Sequence, residues 1–279
     1  MRKFFLGVVI VISMAGCATI DVGYHTADRV ASESHFENEY VKTGLCTLTT
    51  FCRFRSPGDP ITIYIEGDGT AWKSRNERSL DPTPRHLIVL ELAAIDPSGN
   101  IAYLARPGQL TVSGKPDCDP AYWSEKRFSK EVVDAMNSAI DNLKSKSRSQ
   151  AINLIGYSGG AAIAGIIAAQ RNDVMSLRTI AGNLDPEAVN RYHRVSPLGS
   201  TLNPTDLAAK IAYIPQRHFV SASDSVVPIS ITESFVRKID DQRYESITIV
   251  EGTSHTTGWQ KAWPSLLKLP LYKNANPKQ

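Results

Sequence analysis

The chain has 279 residues, 42% of them hydrophobic and 21% charged, with a formal net charge of +3 at pH 7. Those proportions are ordinary for a globular protein, and so small a net charge implies no polyanionic partner, which sets nucleic-acid binding aside. Beyond the N-terminus no apolar run is long enough for a membrane-spanning helix.

Arg2 and Lys3 form a basic start, and Phe4 to Gly16 is an apolar run too short to cross a bilayer. Met14-Ala15-Gly16 then leads into Cys17. This segment resembles a bacterial lipoprotein signal with its lipobox, with Met14 where Leu is more usual. The resemblance implies a signal peptide over residues 1–16, lipid on Cys17, and a protein anchored through that lipid in the cell envelope, at the outer membrane. An ordinary secretory signal cleaved nearby is the alternative, and both readings take the mature chain out of the cytoplasm. Cleavage before Cys17 removes Arg2 and Lys3 and brings the formal charge from +3 to +1.

Ala18 to about Val41 is polar and aperiodic, so residues 17–44 read as a tether. From Leu45 strands and helices alternate. Leu45–Phe54 and Ile61–Glu66 are strand-like, Pro84 to Ile95 is helical, and Ile101–Leu104 is again a strand. Ser129 is placed to cap a helix running to about Lys146, with Val132, Met136, Ile140 and Leu143 on one face. Ala151–Ile155 is a short strand, and Gly159 to Arg171 a buried helix. Further strands are expected at Leu177–Ala181, His218–Ser221 and Ser246–Val250, with a helix at Ile229–Lys238. A last helix at Trp259–Leu267 contains Pro264, which should break or kink it. The alternation predicts an α/β fold: one mostly parallel sheet over residues 45–272 with helices on both faces, followed by a flexible tail at 273–279. In such sheets ligands bind beyond the carboxyl ends of the strands, so the residues just after each strand are the ones to read.

With Cys17 set aside, Cys46, Cys52 and Cys118 remain, enough for one disulfide and one spare thiol in an oxidising compartment. Cys46 and Cys52 cannot pair across one extended strand, where roughly 20 Å would separate them, and Thr47 to Phe51 offers no easy turn. A bond from Cys118 to either is an equal contender. None of the three has the spacing of metal ligands, so no metal or other cofactor is expected.

Gly156-Tyr157-Ser158-Gly159-Gly160 fits G-x-S-x-G, the pattern of a serine on a tight strand-to-helix turn. A chain of this length matches it by chance about one time in ten. The strand before it and the helix after it are what lend it weight. Serine is a poor nucleophile unless a histidine takes its proton and a carboxylate orients that histidine. Asp224 follows the strand at His218–Ser221, and His255, the only histidine downstream of it, follows the strand ending near Val250. Asp185, also after a strand, is the rival acid. Catalytic residues are therefore expected at Ser158, Asp224 and His255. An oxyanion hole needs two backbone N–H groups, for which Gly159 and Asp68 are the candidates. A carboxylate about 4 Å from a forming oxyanion repels it by roughly 4 kcal/mol at an effective dielectric of about 20, so Asp68 must be turned away or neutralised. Lys73, Arg75 and Arg78 are its nearest cations in sequence. Trp72, Tyr122 and Trp123 are candidates for a substrate pocket, and Asp185 to Asp206 for a short cap.

These residues resemble the α/β-hydrolase superfamily. The chain looks most like a group of bacterial lipoproteins within it carrying E-G-D-G (Glu66–Gly69), D-P-T-P (Asp81–Pro84), R-P-x-Q (Arg106–Gln109), Y-W-x-x-x-R-F (Tyr122–Phe128), G-Y-S-G-G and A-G-N-L-D (Ala181–Asp185). Relatives often carry Cys in the third place of R-P-x-Q, where this chain has Gly108, so a disulfide from that loop to Cys118 would be lost. The resemblance implies the fold and the triad and brings no substrate. The expected function is a serine hydrolase of the envelope acting on an ester or other acyl substrate. A thioesterase, amidase or peptidase with the same triad, or a hydrolase-like module without catalysis, are the alternatives.

Overall fold

The computed structural model describes residues 18–111, 115–199, 201–239 and 246–271. Expectations for the signal peptide at 1–16, for Cys17 and for the tail at 273–279 lie outside these residues. No helix among the described residues is long and apolar enough to cross a membrane.

The strands are β1 (Glu37–Lys42), β2 (Thr47–Phe54), β3 (Ile61–Ile65), β4 (Trp72–Ser74), β5 (Glu77–Arg78), β6 (Asn100–Leu104), β7 (Ile152–Tyr157), β8 (Val174–Ile180), β9 (Gln216–Val220) and β10 (Ile247–Ile249). All but β4 and β5, which form a small ribbon, join one eight-stranded sheet in the order β1-β2-β6-β3-β7-β8-β9-β10. Pairing is antiparallel at β1–β2 and β2–β6, and parallel from β6 to β10. The expected mostly parallel sheet, covered on both faces, is what the chain forms.

Period-two alternation divides the core. Ile61, Ile63, Ile65, Ile152 and Leu154 face one apolar cluster, shared with helices α3 (Lys130–Lys146), α4 (Gly159–Ala168) and α6 (Ile229–Ile239). Tyr64, Ile155 and Tyr157 face the other, with helices α1 (Ala18–Glu33), α2 (Ile88–Ala94) and α7 (Trp259–Leu266). Every residue of α4 is buried, which places this helix at the centre of its layer. The helix expected from Pro84 starts only at Ile88, and Pro264 lies inside α7 without ending it.

From Ala18 onward, the tether expected at residues 17–44 is instead built into the domain. Residues 18–33 are the helix α1, and β1 is the edge strand of the sheet. The cause is a short apolar stripe: Ala27, Val30 and Ala31, spaced i, i+3, i+4, are buried with Phe36 against the residues of α2. So few apolar positions in a polar segment give a weak periodic signal. The polar stretch from Asp185 also contains structure, namely α5 (Pro186–His193) and a 3-10 helix at Pro204–Ile211.

Candidate active site

Strand β7 ends at Tyr157 and α4 begins at Gly159, so Ser158 occupies the turn between them with φ 50° and ψ −121°. Such a backbone is strained for a residue with a Cβ and persists only where the surroundings fix it. Here Ser158 N–H donates to the Ile180 carbonyl at 3.0 Å, while its own carbonyl accepts from Ala161 N (3.0 Å) and Asn183 N (2.9 Å). Gly160 must lack a side chain because a Cβ there would overlap the Ile65 and Glu66 carbonyls of the neighbouring strand end. The sharp turn lifts the serine hydroxyl clear of the sheet.

Two loops on the same side of the sheet meet it. His255 Nε2 lies 3.1 Å from Ser158 Oγ, and His255 Nδ1 lies 2.8 Å from Asp224 Oδ2. The other carboxylate oxygen of Asp224 accepts from the backbone N–H groups of Val226 and Val227, both at 2.8 Å. That side chain is almost wholly buried, and its remaining lone pairs are satisfied by fixed donors, which hold the oxygen facing His255 in place. The His255 carbonyl accepts from Tyr157 Oη (2.9 Å) and Trp259 Nε1 (3.1 Å), so the loop after β10 is anchored from both sides. Asp185, the rival acid, caps α5 by accepting from Ala188 N and is engaged by Asn203, with no part in this chain of hydrogen bonds.

Gly159 and Asp68 stand together, and Asp68 borders the same cavity as Ser158 and His255. Neither backbone N–H has a hydrogen-bond acceptor among the described residues, as expected at a helix start and a strand-end turn. The Asp68 side chain packs against Gly159 and is neutralised by two arginines. Arg106 Nη1 lies 3.4 Å from Oδ1, and Arg127 Nε lies 3.1 Å from Oδ2 as an ion pair without the alignment of a hydrogen bond. Arg106 is itself buried, donates to the Arg127 carbonyl, and stacks over the Phe128 ring as Arg127 does. These are not the partners expected from proximity in sequence. Lys73 pairs with Glu77, Arg78 with Glu125, and Arg75 donates to the His193 carbonyl.

Behind Asp68 is a second acid, which no triad spacing marks in the sequence. Glu66 is buried, with Oε1 accepting from Gly67 N (2.8 Å) and Oε2 from Tyr103 Oη (3.0 Å). Burial pushes its carboxyl up to about 7, against the opposing pull of those two donors and of Arg106. Gln109 completes this wall, its Nε2 donating to the Gly67 carbonyl at 2.9 Å. Arg106, Gln109 and Arg127 all fall in the R-P-x-Q and Y-W-x-x-x-R-F motifs. Two arginines in motifs flanking an unpaired acid were the signal that could have identified them.

A cavity of about 320 Å³ opens over Ser158 and His255, bounded by Asp68, Thr70, Arg85 and Val226 among others. None of the three aromatic candidates borders it. Trp72 is exposed on the β4–β5 ribbon, and Tyr122 packs on the core beneath Lys126. Trp123 is buried, donates to the Ser79 carbonyl and fills the space over Gly108. Their strand-end position placed them near the site in sequence, but packing took their rings. Among its described residues, the Asp185–Asp206 segment contributes no lining residue; His193 meets the Val226 carbonyl at the rim, and Val189 packs against Val227.

No family model and no curated protein matches the chain. Among solved structures it is similar to an α/β serine hydrolase homologue from Coxiella burnetii, with a TM-score of 0.57 and 17% identity over 82% of this chain and 93% of that one. It is also similar to Est1E from Butyrivibrio proteoclasticus (TM-score 0.56, 13% identity, 83% and 96% of the two chains). A third similarity is to the acylaminoacyl peptidase of Pyrococcus horikoshii (TM-score 0.55, 16% identity), where 79% of this chain corresponds to 37% of the longer peptidase. The fold is that of the α/β-hydrolases.

Proposed function

We propose that the chain is a serine hydrolase of the bacterial envelope, anchored by lipid at Cys17, which cleaves carboxylic esters through an acyl-enzyme. The observation that carries the catalytic reading is the continuous chain Ser158 Oγ to His255 Nε2 and His255 Nδ1 to Asp224 Oδ2, at 3.1 and 2.8 Å. Within it His255 takes the Ser158 proton as Oγ attacks the carbonyl carbon. Asp224 holds the imidazole in the tautomer that presents a bare Nε2 to the serine and stabilises the imidazolium that forms. The N–H groups of Gly159 and Asp68 receive the developing oxyanion, and the paired arginines offset the Asp68 charge beside it. His255 then returns the proton to the leaving alkoxide, and water repeats the cycle to release the acid. A cavity of about 320 Å³ is at the small end for ligand sites and suits a short acyl or alcohol group.

The reading as an enzyme is tested with a fluorophosphonate probe on the full chain. Wild-type protein is labelled at Ser158 and Ser158→Ala is not; a folded wild type that takes up no probe is a binding module instead. The named activity of the Pyrococcus peptidase supports amide cleavage as a second reading, and matched ester, thioester and amide substrates separate these. For the address, metabolic labelling with an alkyne fatty acid should mark the wild type and spare Cys17→Ser.

A further inference from the structure

We propose that Cys46 and Cys118 are the two halves of a disulfide that locks the loop after β6 behind the oxyanion wall, leaving Cys52 as the spare thiol. In the structure all three are thiols. The sulfurs of Cys46 and Cys118 are close neighbours, lying with an Asp117 carboxylate oxygen within 4.8 Å of one another, and both side chains belong to the apolar cluster on the face of the sheet covered by α3, α4 and α6. Both backbones are held in place before any bond forms. Cys46 ends a turn in which its N–H donates to Thr43 Oγ1 and its carbonyl accepts from the same hydroxyl. Asp117 is docked by the Thr47 N–H at 3.0 Å, and Asp119 caps the next turn through Ala121 N. The sulfurs have at most 4.8 Å between them to close to the roughly 2.05 Å of a disulfide.

The other pairings fail on geometry. Cys52 lies within β2, whose first residue, Thr47, follows Cys46, so an extended strand of roughly 17 Å from Thr47 to Cys52 separates it both from Cys46 and from Cys118, whose sulfur lies beside that of Cys46. Cys52 is buried, and burial pushes its thiol up to about 12, which keeps it protonated and inert. Gly108 cannot carry a cysteine here. It has φ 80°, and a Cβ would stand 2.5 Å from the Trp123 ring. The Gly108 backbone N–H stands near the Cys46 sulfur, where it favours the thiolate. Cys46, arriving from the sheet edge, thus supplies the sulfur beside that loop. The same loop carries Arg106, which neutralises Asp68, and Gln109, which holds Gly67.

The oxidant is a protein or small-molecule disulfide. Cys118, the more exposed of the pair, attacks it as a thiolate, forming a mixed disulfide and expelling one thiolate of the oxidant. Cys46 then loses its proton and attacks Cys118 Sγ, closing the Cys46–Cys118 bond and releasing the second thiolate. Overall the two cysteines lose two electrons and two protons, and the oxidant leaves as a dithiol or two thiols. The Cys46 thiol is held above the ordinary range first by its hydrogen bond to Cys118 and then by burial, and the first of these is removed once Cys118 Sγ is bonded in the mixed disulfide.

The test is peptide mapping of the full chain under non-reducing conditions after equilibration with glutathione disulfide, with free thiols alkylated first. The expected result is a Cys46–Cys118 cross-linked peptide and an alkylated Cys52. Alkylation of Cys46 and Cys118, a bond to Cys52, or a zinc ion retained with both thiols reduced each overturns the proposal. A second measurement needs no variant: closing so long a loop should raise the wild-type Tm above that of the reduced protein by roughly 5–10 °C. Cys52→Ser should keep that difference and Cys46→Ser with Cys118→Ser should lose it. The opposite pattern, or no difference in the wild type, also overturns it. Neither readout depends on catalysis, so the bond and the hydrolase reading fail separately.

Discussion

The Asp68 carboxylate packs directly on Gly159, so closely that a Cβ on residue 159 would overlap Oδ1 and stand 2.5 Å from Cγ. One wall of the site is therefore built from a residue that must have no side chain and an acid that must be neutralised. Gly159→Ala has to push Asp68 aside and with it both proposed oxyanion donors. Its kcat/KM on a small chromogenic ester should fall more than about a thousandfold, the scale of losing such donors. Asp68→Asn keeps the shape and the N–H, so kcat should stay within about tenfold of wild type. It leaves buried Arg106 without its counter-charge, and urea unfolding should show about 2 kcal/mol of lost stability. A thousandfold loss in Asp68→Asn would mean that the carboxylate acts directly on substrate.

Asp224→Asn isolates the role of the acid. The Val226 and Val227 N–H groups, both 2.8 Å from Oδ1, select the amide oxygen for that position and turn the amide nitrogen towards His255 Nδ1. Nδ1 must then accept, which places the ring proton on Nε2, facing Ser158, where a base is needed. Turnover should fall about 10⁴-fold with the circular dichroism spectrum unchanged. A loss smaller than a hundredfold would remove Asp224 from the triad.

Tyr157→Phe removes one of two donors to the His255 carbonyl and keeps the ring, whose centroid is 5.4 Å from the imidazole. With Trp259 still donating, the histidine loop should hold, and kcat should drop less than about tenfold with KM unchanged. A drop comparable to that of Asp224→Asn would show that the phenol has a part in proton transfer.

The features legible in the sequence were those that local pattern encodes. Alternation gave the parallel sheet, and the strand-end positions of Ser158, Asp224 and His255 are the ones the structure draws together. What sequence concealed depends on contacts between distant segments. Lys73, Arg75 and Arg78 looked like partners for Asp68 because they are near it along the chain, whereas Arg106 and Arg127 reach it from other loops. Helix α1 went unseen because a few small or branched residues, Ala27, Val30 and Ala31, bury its face. The aromatic rings of Tyr122 and Trp123 were read from their position, and position does not say which way a ring packs.

Glu66 gives the wall a pH-dependent stability whose sign is fixed. Its carboxyl is pushed up to about 7 from an ordinary 4.5, chiefly by burial, so the folded chain keeps a proton that the unfolded chain has released. A raised carboxyl contributes stability that is fully present below about pH 4.5 and is lost as pH climbs towards 7. The loss is about 3 kcal/mol if the unfolded chain titrates normally. Glu66→Gln removes this titration and still offers an oxygen to the Gly67 N–H. Unfolding free energies of wild type and variant, measured by urea titration from pH 4 to 8, should therefore converge or cross in the variant's favour as pH rises. Because Arg106 and Tyr103 stay in one charge state across that range, the difference curve reports Glu66 alone. A flat difference would mean that Glu66 is ionised throughout, held so by Arg106 and its two hydrogen-bond donors.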